Sequence, residues 1–179
     1  MRLPPAALAA LVGVIVVVQG LLALEPPTLI LGLVDWTGHF ATIAILLAAS
    51  SRRLPTALIA GTFAATLIDL DHIPDLFGEE GISDVTPRPV SHSMVTVLVA
   101  GAIAAAVRAR APRYGAFAVG IALGVAMHLL RDVFTGPGVS LFWPLSAEPV
   151  NGAFLVYLVA MIAVAAYAAT RSRRVVGPA

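Results

Sequence analysis

Apolar residues dominate long, uninterrupted stretches of this chain, and polar residues collect in the breaks between them. Six stretches, at about 5–24, 29–50, 54–73, 92–110, 114–134 and 151–170, are each long enough to cross roughly 30 Å of hydrocarbon. Most breaks are short: Glu25-Pro26-Pro27-Thr28 reads as a tight turn, and Ser50–Arg53 and Arg108–Arg113 read as basic links. Two longer polar segments remain, about 74–91 and 135–150. There is no internal repeat or low-complexity tract. The pattern predicts an all-α polytopic membrane protein, one domain over 1–179, with about six transmembrane helices in a bundle. The first stretch follows Arg2, as in a signal peptide. It is long for such a segment, however, and Leu21–Pro27 offers no small-x-small cleavage site, so a helix is expected.

Composition agrees with the spans. Of 179 residues, 59% are hydrophobic and 12% charged, whereas a soluble domain has about a quarter charged. With no cysteine, neither a disulfide framework nor a thiolate metal site is available. A formal net charge of +1 suggests no nucleic-acid partner. Every basic residue is arginine. With six spans, Arg2, Arg52, Arg53, Arg108, Arg110, Arg113, Arg171, Arg173 and Arg174 share one side. Short arginine-rich loops stay cytoplasmic, so both termini are expected on the cytoplasmic side of the membrane. All ten acidic residues lie in or near the opposite half, with only Arg88 and Arg131 for company. Trp36 and Trp143 near the outer ends, and Tyr114 and Tyr167 near the inner ends, suit the interfacial aromatic belts.

The acidic half carries the candidate chemistry. The third span closes on Asp69-Leu70-Asp71-His72-Ile73-Pro74-Asp75. On an α-helix Asp71, His72 and Asp75 share a face, with Asp69 beside His72 at i+3. Pro74 disfavours helix at Ile73, which places Asp75 on the turn. A charge inside a span costs about 2.5–3.5 kcal/mol unless paired or solvated, and crowded carboxylates repel one another. One divalent cation relieves both penalties. Three further sites reinforce the reading: His128 and Asp132 at i, i+4 closing the fifth span, His92 within Ser91-His92-Ser93 opening the fourth, and Asp35 with His39 at i, i+4 in the second. The competing bland reading is a buried polar network or a water-exposed acidic helix end. His39 lies about 15 Å into its span at 1.5 Å per residue, so a shared site needs a tilted second helix or a water-filled crevice; the crevice is expected.

Those residues resemble a known family. Gly38-His39, Asp69-Leu70-Asp71-His72, Ser91-His92-Ser93, His128–Asp132 and Thr135–Pro144 occur in the order found in bacterial membrane-bound metal-dependent hydrolases of the YdjM type, over about residues 35–145. A more remote similarity is to zinc-dependent phospholipase C and related single-strand nucleases. The first helix lies ahead of the family's usual starting histidine. The chain departs from the pattern at Pro87-Arg88-Pro89, where the family often has His-Arg-Gly, and at Ile68, usually proline. These changes leave the main cluster intact and bear on whether a full multi-metal site forms.

The resemblance implies a metal-dependent hydrolase. Carboxylates with imidazoles suit Zn²⁺, Mn²⁺ or Mg²⁺. The expected ligands are Asp69, Asp71, His72, His92, His128 and Asp132, with His39 next. If two ions bind, about 3.5–4 Å apart, Asp71 is the expected bridge. Asp75 is a ligand or general base. Arg88 and Arg131 are placed to hold a phosphate, against the alternative of snorkelling surface residues. A site at the outer leaflet suits a phosphoester of a membrane lipid or lipid-linked substrate, less readily an ester or amide. Loop 135–150, with Gly136-Pro137-Gly138 and Leu141-Phe142-Trp143, reads as a re-entrant or interfacial lid. The acidic loop 76–88 reads as solvated. The competing functions are a divalent-cation transporter, which needs a polar route to the inner side that these inner spans lack, and a structural membrane protein.

Overall fold

The computed structural model describes residues 1–24, 28–72 and 86–176. Among them are six α-helices: α1 (Pro5–Leu22), α2 (Thr28–Ala48), α3 (Thr56–Ala64), α4 (Met94–Arg110), α5 (Pro112–Asp132) and α6 (Phe154–Val176). A 3₁₀ helix (Ala65–His72) continues α3, and the described residues hold no strand, only an isolated bridge between Val139 and Val150. The helices fall where the apolar stretches predicted them, with ends shifted by a few residues. Proline at the first position starts α1 at Pro5 and α5 at Pro112, where its missing N–H costs nothing. Arg108 and Arg110 occupy the last turn of α4, complementing the helix dipole.

Among the described residues, four helical segments are long and apolar enough to cross a membrane: Pro5–Leu22, Ile30–Ala48, Pro112–Asp132 and Phe154–Ser172. The other two expected spans are shorter. Helix α4 has 17 residues, and α3 has 9 before it tightens into the 8-residue 3₁₀ helix. This is a correction to the α-helix expected throughout 54–73.

The chain divides into two compact units. The first, Met1–Leu54 with Phe154–Ala179, packs α1, α2 and α6 on one another. Buried Leu8, Ile15 and Val18 line one face of α1, and Tyr157, Met161, Ala165 and Ala168 one face of α6, both at helical spacing. Ser172 Oγ donates to the Leu3 carbonyl (3.0 Å) and Arg171 Nη2 to that of Ser51 (3.3 Å), so these three points share one end of the unit.

The second unit, Pro55–Ala153, is built on α5. Its glycines face α3 so closely that a Cβ on Gly120 would meet the Leu58 carbonyl and one on Gly124 the Thr62 carbonyl, while one on Gly61 would meet the Phe117 carbonyl. Backbone against backbone is the small-residue packing that holds helices where no hydrophobic effect drives them together. Helix α4 lies against α5 and turns into it at Ala111. The start of α4, the end of α5 and the 3₁₀ helix therefore meet at the end of the unit opposite that turn.

Candidate metal centre

The 3₁₀ helix decides how the Asp-x-Asp-His segment presents itself. Eight residues is long for this geometry, in which runs beyond 3–4 residues are uncommon and a long run often marks a functional segment. Three residues per turn stack Asp69 over His72 and turn Asp71 to another direction. The segment after Thr86 enters from the other side. Thr86 Oγ donates to the Arg88 carbonyl, His92 N donates to the Pro89 carbonyl (2.9 Å), and extended Ser93 leads into α4. Helix α5 contributes His128 and Asp132 one turn apart, as their spacing required.

Four donor atoms converge. His128 Nε2 lies 3.0 Å from Asp69 Oδ1, 3.1 Å from Asp132 Oδ2 and 3.3 Å from His92 Nε2. His92 Nε2 lies 3.2 Å from Asp69 Oδ1 and 3.7 Å from Asp132 Oδ2. Both histidines and Asp132 are buried. For metal–ligand bonds of 2.0–2.1 Å, ligands on a tetrahedron stand about 3.3 Å apart, close to all five of these distances. Protons alone serve this arrangement poorly: with one on each Nε2 both rings can donate to carboxylates, but two N–H groups then face each other across 3.3 Å. A divalent cation among Asp69, His92 and His128 would be approached by all three, with Asp132 beside His128, so the residues fit the group. His92, His128 and Asp69 form one set able to hold a metal ion, and Asp71, His72 and His92 a second.

Asp71 sits behind His92. Its Oδ2 lies 3.6 Å from His92 Nδ1 and accepts a hydrogen bond from Ser91 Oγ, while its Oδ1 lies 3.8 Å from His72 Nε2. The His72 and His92 rings meet edge to face, 5.2 Å between centroids. It is Asp69 that touches the Nε2 atoms of both His92 and His128. Asp71 belongs with His72 and His92 to the second set, and His92 is common to the two.

Both arginines of the acidic half are buried rather than snorkelling. Arg88 Nη2 lies 3.3 Å from Asp132 Oδ1 and donates to the Thr135 carbonyl at 3.5 Å. It passes over Gly136, whose φ of +68° is a left-handed conformation and where a Cβ would stand 3.0 Å from Nη2. Arg131 is 2% exposed, and its carbonyl accepts from Thr135 Oγ at 3.1 Å. The roles of Ser91 and Gly136 escaped the sequence reading: each serves a residue 20 or more positions away, and no local spacing signals that.

His39 belongs to the first unit. It is fully buried on α2, with Nε2 3.6 Å from Asp35 Oδ2. One turn on, Thr42 Oγ donates to the Gly38 carbonyl (2.8 Å) and bonds the Tyr157 hydroxyl. Asp75 lies outside the described residues, as does most of the acidic loop.

No curated protein and no solved structure matches this chain. A family does, over residues 34–178, which run from within α2 to beyond the end of α6 and include every residue of the cluster, leaving α1 ahead of the match. By that match the chain belongs to the YdjM inner membrane protein family.

Proposed function

We propose that the protein is a membrane-embedded metal-dependent hydrolase acting on a phosphoester of a lipid or lipid-linked substrate. The observation that carries this reading is the convergence of Asp69, His92, His128 and Asp132 at ligand spacing within a membrane protein. Two imidazole nitrogens with two carboxylate oxygens suit Zn²⁺ before Mn²⁺ or Mg²⁺. A bound metal of this kind would lower the pKa of a water toward about 7 and polarise the bond to be cleaved.

The chain's own residues supply the rest. Asp71, held by Ser91, faces His92 Nδ1 and orients that ring, the carboxylate–histidine arrangement common behind metal ligands. Arg88 pairs with Asp132 Oδ1, which leaves Oδ2 turned to the histidines. Arg88 is thereby a positioning residue, and Arg131, next to Asp132 in the chain, is the other cation at this end of the unit. Helix α4 and α5 up to Met127 contain no His, Asp or Glu. That favours a site served from one end of the unit over a transport route through it.

A second reading has its own support. Structural metal sites take four protein ligands, whereas catalytic sites keep one position open, and Asp132, 3.1 Å from His128 Nε2, stands beside Asp69, His92 and His128 as a candidate fourth. The two readings separate in one assay. Purified protein with Zn²⁺ or Mn²⁺ restored is offered a panel of phospholipids and lipid-linked phosphates, beside Asp71→Asn and Arg131→Ala. Metal-dependent cleavage that falls in both variants supports the hydrolase. Bound metal with no cleavage across the panel contradicts it and leaves the structural site.

A further inference from the structure

We propose that the loop following α5 is a membrane-interface wedge, its tip Phe142–Leu145 seated among the lipid headgroups and upper acyl chains of the leaflet beside the metal centre. The loop is firmly braced. Val139 and Val150 exchange two backbone hydrogen bonds (3.1 and 2.8 Å), Ser140 Oγ donates to the Ala147 carbonyl (2.6 Å), and Gly152 N donates to the Val133 carbonyl (2.6 Å). Yet what this brace presents is apolar: Leu145 is 92% exposed and Phe142 55%. From Val133 to Ala147 the chain carries no charge, and the first, Glu148, comes after the tip. Loops that face water are ordinarily built from turn formers and polar residues. A rigid loop that holds leucine and phenylalanine outward, with a tryptophan between them, has the make-up of an interfacial anchor.

Its neighbours identify the occupant as lipid. Met94 N, at the first residue of α4, donates to the Leu141 carbonyl (2.9 Å), so the tip abuts the start of that helix. Met94, Val95 and Leu98 are exposed there and continue the apolar surface of the tip down α4. Exposed apolar residues thus lie both on the loop and on the helix start it abuts, in an inner membrane protein and at the end of the unit where His92 and Asp132 lie. This inference does not depend on catalysis at the centre.

The chain has two tryptophans, Trp36 and Trp143, so Trp36→Phe isolates Trp143. A second probe, Leu145→Trp in a chain also carrying Trp36→Phe and Trp143→Phe, changes a side chain that packs on little. Each full-length variant is reconstituted in phosphatidylcholine vesicles that are unbrominated, brominated near the headgroup, or brominated near the acyl terminus, and iodide probes access from water. The wedge predicts loss of fluorescence with shallow bromine for both probes, less loss with deep bromine, and little with iodide. Stronger quenching by deep bromine overturns it in favour of a re-entrant loop. Quenching by iodide alone overturns it in favour of a water-facing loop, and silence to both quenchers means that another protein surface, such as a second copy, covers the tip.

Discussion

Arg88 reaches Asp132 because Gly136 has no side chain. At φ +68°, any other residue carries about 1–2 kcal/mol of left-handed strain, and here the added Cβ also crowds the Arg88 guanidinium. Gly136→Ala is therefore expected to lower stability by at least that amount in thermal unfolding and to weaken metal retention. Gly138→Ala, at φ +87° and close to the Val150 carbonyl, should lower stability while leaving metal retention nearly unchanged. Removing the arginine itself leaves the Asp132 carboxylate buried without its cation, a change that typically costs about 3–5 kcal/mol. Arg88→Ala should approach that loss and Arg88→Lys should recover part of it, since lysine restores the charge without the planar fork. Equal stability of Arg88→Ala and wild type would remove Arg88 from the support of Asp132.

At the scale of elements, close backbone packing of α3 on α5 sets the site's frame. Gly120→Leu and Gly124→Val would force side chains into the Leu58 and Thr62 carbonyls. Each is expected to destabilise the protein, whereas Gly101→Ala, within α4 and meeting nothing within 4 Å, should leave it at least as stable; denaturant unfolding in detergent reads the difference. The same helices show why part of the site was legible in the sequence and part was not. His128 and Asp132 could be paired from their spacing because α5 keeps the α-helical period to its end. Asp69, Asp71 and His72 could be gathered as a group but not aimed, because the chain tightens to 3₁₀ at Ala65 and the side-chain period changes from 3.6 to 3. Arg88, Ser91 and Gly136 act on residues distant in the chain, and such pairings exist only once the fold has brought them together.

At the scale of the molecule, exposed apolar side chains occur on every long helix, among them Val17, Ile30, Leu98, Phe117 and Val159. So much exposed apolar surface suits a hydrocarbon surrounding, in keeping with the inner membrane family. Laid end to end, α3 and the 3₁₀ helix reach about 30 Å, because the tighter helix rises 2.0 Å per residue, and α4 lies at the lower limit for a span. All six segments crossing would place both termini in the cytoplasm and the candidate metal centre at the outer face. The natural lack of cysteine makes this directly measurable: an impermeant thiol reagent applied to intact cells should label Ala147→Cys and not Ser51→Cys, and the reverse pattern inverts the topology. The candidate metal centre rests on Asp69, His92 and His128 with Asp132 beside them, and elemental analysis of detergent-purified protein tests it most directly. Wild type is expected to hold about one divalent ion per chain, or two if the Asp71–His72 set also fills, with loss in His128→Ala and Asp69→Asn. A wild type that takes up no Zn²⁺ or Mn²⁺ even after incubation, or variants that retain the metal in full, would contradict the metal centre itself.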